Sequence, residues 1–298
     1  MDDFPIADSH HHLYDLEHHR YPWLQDGVKP IVFGDYTAIC KSYLIDDFLA
    51  DASNQNVVKS VHLDVGFEPT NPAGETRWLQ SIADRRGFPH GIVGYADLAD
   101  LKVERLLEEH RSYKNFRGIR QSMNYHPDPA KTYTPRAGIS REPAWRSGFA
   151  LLHKFNLSFD LQIYYPQVEE FFDLARRFPD TQIILDHTGM PVDRSAEQIT
   201  DWAKGMRRLA EAQNVACKIS GLGMGDPTWT VETIRPFVLT AIEAFGVDRC
   251  MFASNFPVDK LFSSYDAVFD AFKTVTEGCS AAERRKLFHD NAVHYYRL

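Results

Sequence analysis

Val57-Val58-Lys59-Ser60-Val61-His62-Leu63-Asp64-Val65, a helical stretch from Gly74 to Arg86, and Gly91-Ile92-Val93-Gly94-Tyr95-Ala96 follow one another with little between them. The two outer segments are short, rich in β-branched residues and bounded by turn residues, so they read as strands; the middle one has helical spacing. Two strands joined through a helix run parallel and lie side by side in one sheet. Downstream the unit recurs. Leu101 to His110 is helical, Phe116 to Gln121 strand, Pro143 to Phe155 helix, Leu157 to Tyr164 strand, Val168 to Phe178 helix and Thr181 to His187 strand. Ala196 to Gln213 is helical, Val215 to Ser220 strand, Thr230 to Phe245 helix and Cys250 to Ser254 strand, with helical spacing from Tyr265 to Thr276 and from Ala281 to Asp290. Upstream, Phe4 to His12 supplies one more strand. Eight parallel strands with intervening helices close into an α/β barrel, so the expectation is one (β/α)8 TIM-barrel domain over residues 1–298, with long loops at about 13–45 and 122–142. An open doubly wound sheet is the competing fold. It would carry a glycine-rich phosphate loop after the first strand, where this chain has histidines and aromatics.

The 298 residues suit one barrel better than two average domains, and a hydrophobic content of 44% is ample for its core. A formal net charge of -8 argues against nucleic acid or an anionic membrane surface as a partner. Cys40, Cys217, Cys250 and Cys279 are too scattered for a zinc knuckle or redox dithiol and read as reduced thiols. The start of the chain has no basic segment leading into an apolar run, and no apolar stretch is long enough to span a bilayer, so the cytoplasm is the expected compartment. A small molecule is the expected partner, and self-association into a homo-oligomer is left open.

In such a barrel the chemistry sits at the C-terminal strand ends. Strand one ends in Asp8-Ser9-His10-His11-His12, where alternation puts His10 and His12 on one face and His11 on the other. A purification tag would be a contiguous run outside the fold, whereas these histidines continue into Leu13-Tyr14-Asp15-Leu16-Glu17. His62 and Asp64 end strand two, Arg120 strand four, Gln162 strand five, Asp186 and His187 strand six, Lys218 and Ser220 strand seven, and Asn255 follows strand eight. His62 and Asp64 equally suit an internal pair that stiffens the barrel mouth. Arg117 and Arg120 face opposite ways, so one enters the barrel; Arg120, nearer the C-terminal end, is the choice, and a guanidinium there needs a carboxylate of protein or substrate. Lys218 suits a substrate clamp or a structural ion pair better than a Schiff base. Trp23, in Tyr21-Pro22-Trp23, and Tyr164 either line a pocket or pack their loops.

Asp8 to His12, Tyr21-Pro22-Trp23-Leu24, Arg117-Gly118-Ile119-Arg120, Ile184-Leu185-Asp186-His187, Cys217-Lys218-Ile219-Ser220-Gly221, Met251-Phe252-Ala253-Ser254-Asn255-Phe256-Pro257 and Asn291-Ala292-Val293-His294-Tyr295-Tyr296 together resemble the amidohydrolase superfamily. The resemblance is to the amidohydrolase-2 group, which contains sugar-lactone and 2-pyrone-4,6-dicarboxylate lactonases, and it runs nearly end to end. It implies hydrolysis of a lactone or related carboxylate-bearing cyclic ester, with water attacking a carbonyl polarised by His10, His12 and His187. It also implies either no cofactor or one divalent metal, zinc first, on those three histidines. Arg120, Gln162, Lys218, Trp23, Asp64 and Tyr164 are the expected substrate contacts.

The chain departs from the family at Asn255, where the group has an aspartate acting as general base or metal ligand. An amide cannot take a proton at neutral pH, so Asn255 belongs to the expected catalytic set but not as a base. A natural subgroup with another base (His187 or Asp259), an engineered substitution, or a lost activity each account for it. Two alternatives follow: a metal-dependent decarboxylase on the same barrel, and a non-catalytic ligand-binding descendant.

Overall fold

The structure, a computed structural model, describes residues 4–298. Eight strands form one parallel sheet in sequential order: β1 (Ile6–His11), β2 (Val57–Leu63), β3 (Gly91–Tyr95), β4 (Phe116–Ser122), β5 (Ser158–Gln162), β6 (Ile183–Leu185), β7 (Val215–Ile219) and β8 (Cys250–Phe252). The two ends of the sheet meet just past β8, where His12 N donates to Phe256 O at 2.7 Å and Asn255 N donates to His10 O at 2.8 Å. The bonds that close the barrel therefore run through the backbone of His10, His12 and Asn255. Helices Pro72–Arg86, Val103–Arg111, Pro143–Lys154, Val168–Arg177, Ala196–Ala210, Val231–Phe245 and Tyr265–Val275 form the outer layer. The (β/α)8 barrel read from the strand alternation is the fold, and the doubly wound sheet is excluded.

Two apolar layers hold it. Between sheet and helices, Trp145, Phe149, Phe159, Trp202 and Phe237 are buried in one continuous core. Inside the barrel, Ala7, Val61, Leu63, Val93, Ile184, Ala216 and Met251 make a second cluster. The C-terminal helix Asn291–Tyr296 contributes Ala292 and Tyr296 to that cluster and plugs the N-terminal end of the barrel. The cavity is left at the opposite end.

Several elements differ from their sequence reading. The first strand is shorter than Phe4 to His12, and its register against β2 shifts between Asp8 and His11. Strict alternation would send Ala7 and His10 to opposite faces; the shift lets both point inward, Ala7 into the lower cluster and His10 into the site. Met1 to Asp3 lie outside the described residues. Strand six stops at Leu185, and His187–Gly189 is a separate tight turn in which His187 has φ +53°. The long loop at 13–45 holds the short helix Pro22–Gln25 and runs into a helix, Ile45–Asp51. The segment read as one helix from Ala281 to Asp290 is a wider-turned stretch, Lys286–Asp290, joining Ala281–Arg285 to the terminal helix. Among the described residues, no helix is long and apolar enough to cross a membrane.

Candidate active site

His10 and His12 project from the end of β1 to the same side, with ring centroids 5.0 Å apart, and His187 stands 4.5 Å from His10. His11 turns outward, bonds Ser60 at 2.9 Å and stacks on Phe48. Each inward imidazole is held through Nδ1. His12 Nδ1 donates to Leu63 O at 2.9 Å, and His187 Nδ1 pairs with Ser220 Oγ at 2.9 Å. His10 Nδ1 lies 3.5 Å from Asp186 Oδ1 and 3.4 Å from Lys218 Nζ. The opposite nitrogen of His10, Nε2, is buried without a partner. Burial, reinforced at His10 by Lys218 and at His12 by Arg120, holds both rings well below the usual imidazole range; burial lowers His187 to about 3 against the upward pull of Asp186. All three are neutral at pH 7.

Opposite them Arg120, on β4, donates from Nη1 to Gln162 Oε1 at 3.0 Å and from Nη2 to the Asp64 carbonyl. Its Nε, 3.7 Å from Asp64 Oδ2, is buried without a hydrogen bond. Asp64 Oδ1 accepts from Gly66 N at 3.1 Å. Burial, with Glu75 nearby, pushes Asp64 up to about 6 although Arg120 pulls it down. Behind Asp64, Glu75 Oε1 lies 3.7 Å from His62 Nε2, and burial pushes that carboxyl up to about 8. His62 takes the Leu13 N–H on Nδ1 at 3.0 Å, facing the helix layer and not the barrel interior.

Beneath His10 lies a closed ion cluster. Lys218 Nζ bonds Asp160 Oδ1 at 2.5 Å and stands 3.0 Å from Asp186 Oδ1, all three side chains being fully buried. The Tyr296 hydroxyl donates to Asp160 from the plugged end of the barrel, and the ammonium sits 5.2 Å from the Tyr296 ring centroid. Burial raises Asp186, but Lys218, His187 and Arg120 outweigh it and hold that carboxyl below its ordinary value. Lys218 is thus a structural cation one layer below the cavity, off its wall, because two carboxylates draw it down. Although expected among the substrate contacts, it is therefore not on the cavity wall.

Asn255 sits just past β8 in the left-handed region, φ +57°, which asparagine tolerates. Its Nδ2 donates to Asp259 Oδ1 at 3.1 Å, and its backbone carbonyl accepts from Asp259 N at 3.1 Å. Asp259 also takes the Gly221 N–H, and burial pushes it up to about 7. It stands behind Asn255 and off the cavity wall. Tyr164 is likewise off the wall: its hydroxyl donates to Lys131 O at 2.7 Å and pins the second long loop.

The remaining groups surround one cavity of about 680 Å³ at the C-terminal mouth. His12, Asp64, Arg120, Gln162, His187 and Asn255 line its floor, and Trp23 lies on its outer wall. His10 is buried immediately under this floor. The cavity also meets Tyr95, Gln121, Met190 and Met224, which the sequence reading did not single out. Gln121 was legible only as the neighbour of Arg120; the methionines carry no signal distinguishing them from core.

Whether the site suits a metal turns on its donors. His10, Asp186 and His187 bring ligand atoms within 4.8 Å of one another, a set that includes Asp186 and leaves out His12. The Lys218 ammonium already serves Asp186 there, so a second cation on that carboxylate would face a fixed positive charge. On the Nε2 side, the unpartnered His10 nitrogen and the neutral, Nδ1-anchored rings of His12 and His187 make the donor chemistry of a divalent zinc-type ligand set. His10 and His187, each with a ring nitrogen in the cluster with Asp186, are the imidazoles placed to share an ion; His12 lies outside it.

Known proteins share this architecture. The chain is 65% identical to an uncharacterised protein of Sinorhizobium fredii over 100% of both lengths. It is 26% identical to an L-fucono-1,5-lactonase of Burkholderia multivorans, spanning 98% of this chain and 95% of the relative. The crystal structure of a Burkholderia multivorans amidohydrolase with bound zinc superposes with a TM-score of 0.82 over 98% of this chain and 99% of that one; at 24% identity this is a likeness of fold. The amidohydrolase family model matches residues 7–298, and with the barrel and its histidine-lined mouth the chain belongs to that family of hydrolases.

Proposed function

We propose that the protein hydrolyses a lactone, opening a cyclic ester to its hydroxy acid. The observation that carries this reading is the cavity floor: the uncharged imidazoles of His12 and His187 lie across from Arg120, and Asp64 is the one carboxylate on the cavity wall among the described residues. The similarity to an L-fucono-1,5-lactonase supports the reaction class.

Arg120 and Gln162 bind the polar edge of the substrate, two fixed donors and an amide already oriented by their mutual bond. The carbonyl lies toward His10, His12 and His187. A divalent ion held by His10 and His187 would supply Lewis-acid polarisation of that carbonyl. Asn255, with Nδ2 committed to Asp259, is left with its amide oxygen as an acceptor that orients water without taking its proton. Asp64 takes that proton: at about 6 it is ionised at neutral pH and basic enough to act. Water oxygen bonds to the carbonyl carbon, the ring C–O bond breaks, and protonated Asp64 returns its proton to the departing alkoxide. The product is one hydroxy acid, with no other co-reactant than water.

The test is a pH-indicator assay of purified protein on L-fucono-1,5-lactone, an L-rhamnonolactone and simple δ-lactones, before and after chelation. Proton release with any of them is the expected result. Carbon dioxide release from an aromatic acid instead would establish the decarboxylase alternative, and ligand binding with no turnover of any lactone would establish the non-catalytic one.

A further inference from the structure

The cavity has two unlike halves. Its floor is polar, but the outer wall built by the loops at 13–45 and 122–142, together with the segment after β2, is mostly carbon, with Lys29, Thr132 and Thr134 as polar side chains on it. Trp23, Ile31, Phe33, Tyr36, Phe67 and Tyr133 line it, along with five prolines, Pro22, Pro30, Pro69, Pro129 and Pro135. The polar atoms of Trp23 and Tyr36 are turned into the backbone. Trp23 Nε1 donates to Val65 O at 2.6 Å; the Tyr36 hydroxyl accepts from Lys29 N at 3.0 Å and donates to Trp23 O at 3.2 Å. Thr132 Oγ1 donates to His126 O at 2.6 Å. Prolines offer no N–H. Among the described residues, Lys29 is the one charged side chain on this outer wall.

A polyhydroxylated group placed here would exchange water for carbon at most of its hydroxyls and find few partners beyond Lys29 and Thr134, which a site built for sugars avoids. An alkyl or aryl group would lose nothing. A cavity of about 680 Å³ is also of the size that encloses a ligand much larger than a bare lactone ring.

We infer that the natural substrate is a lactone bearing an apolar substituent, an alkyl, acyl or aryl group, with the ring on the polar floor and the substituent against the outer wall. The head group rests on the lactone reading; the substituent rests on the wall alone. The polar floor and carbon wall are continuous in one cavity, so a single molecule spans both.

The experiment is a chain-length series at constant ring: δ-valerolactone, δ-octalactone and δ-decalactone, with L-fucono-1,5-lactone alongside. Burying a methylene strengthens binding about threefold to fourfold. The expected result is a kcat/KM at least tenfold higher for δ-decalactone than for δ-valerolactone, carried mainly by KM, and flattened in Phe33→Asn. A flat series, or a tenfold preference for the fuconolactone over δ-decalactone, overturns the inference while leaving lactone hydrolysis standing. Turnover of none of them removes the lactone reading, and calorimetry then decides the wall by itself: 5-hydroxydecanoate binding at least tenfold tighter than 5-hydroxypentanoate supports the apolar receptor, and equal binding overturns it.

Discussion

Asn255 hands its side-chain N–H to the carboxylate of Asp259 at 3.1 Å, both groups being buried at the point where the barrel closes. The pair keeps a carboxylate within one bond of the site yet off the cavity wall, and it fixes which end of the Asn255 amide can face the cavity.

Asn255→Asp puts a second buried carboxylate where Nδ2 now donates. Two such groups at this spacing cannot both ionise without a large penalty. The variant is expected to lose about 3 kcal/mol of stability at pH 8 by denaturant unfolding, and the exchange Asn255→Asp with Asp259→Asn to recover most of it. A single variant as stable as the parent would show that the bond does not exist.

Asp64 acts as base only when ionised, so kcat/KM should climb as pH rises through about 6. Asp64→Asn is expected to cost about 10²- to 10⁴-fold in kcat and to abolish that limb. Arg120 pulls the Asp64 carboxyl down, so Arg120→Met should move the limb to higher pH and raise KM. A pH–rate profile unchanged in both variants would take the base role from Asp64.

Glu75 tests the buried electrostatics through stability. Its carboxyl stands at about 8 in the fold against an ordinary 4.5, so between these values the folded state keeps a proton that the unfolded chain has lost. Stability from this group therefore falls as pH rises from 4.5 to 8. Glu75→Gln is expected to match the parent at pH 4 and to exceed it at pH 9 by on the order of a few kcal/mol. Parallel melting curves at both pH values would refute it.

Lys218→Met strips the ammonium from Asp160 and Asp186 and leaves two buried carboxylates uncompensated. A loss of about 3–5 kcal/mol is the expected cost. Lys218→Arg, which keeps the charge but not the volume, should lose less; calorimetric melting of the two proteins separates charge from packing.

Zinc at micromolar concentration should raise the melting temperature of the parent and leave His10→Ala unmoved, since an ion that binds the folded state alone stabilises it by mass action. Equal shifts in both proteins would place the ion elsewhere.

Much of this was legible in the chain. The alternation of β-branched runs with amphipathic helices is a local property, and parallel pairing has few solutions, so the barrel follows from Val57 to Ala96 and its repeats. That His10 and His12 share a side follows from a period of two. The register shift that brings Ala7 and His10 both inward does not, because it depends on pairing with β2. Tyr296 is visible only as the end of the motif Asn291 to Tyr296, and Asp160 not at all, since nothing local distinguishes a buried aspartate that meets Lys218 from one on a surface.

By itself the sequence determined the barrel and the residue types at its mouth, properties of spacing and identity along one chain, while the carboxylate expected in place of Asn255 is what the resemblance to the amidohydrolase-2 group implies. The tertiary structure alone decided that Lys218 lies under the floor and that Asp64 is the carboxylate on the wall. It also decided that two distant loops turn their polar atoms inward to leave a carbon face, because each depends on which side chains satisfy one another across the fold.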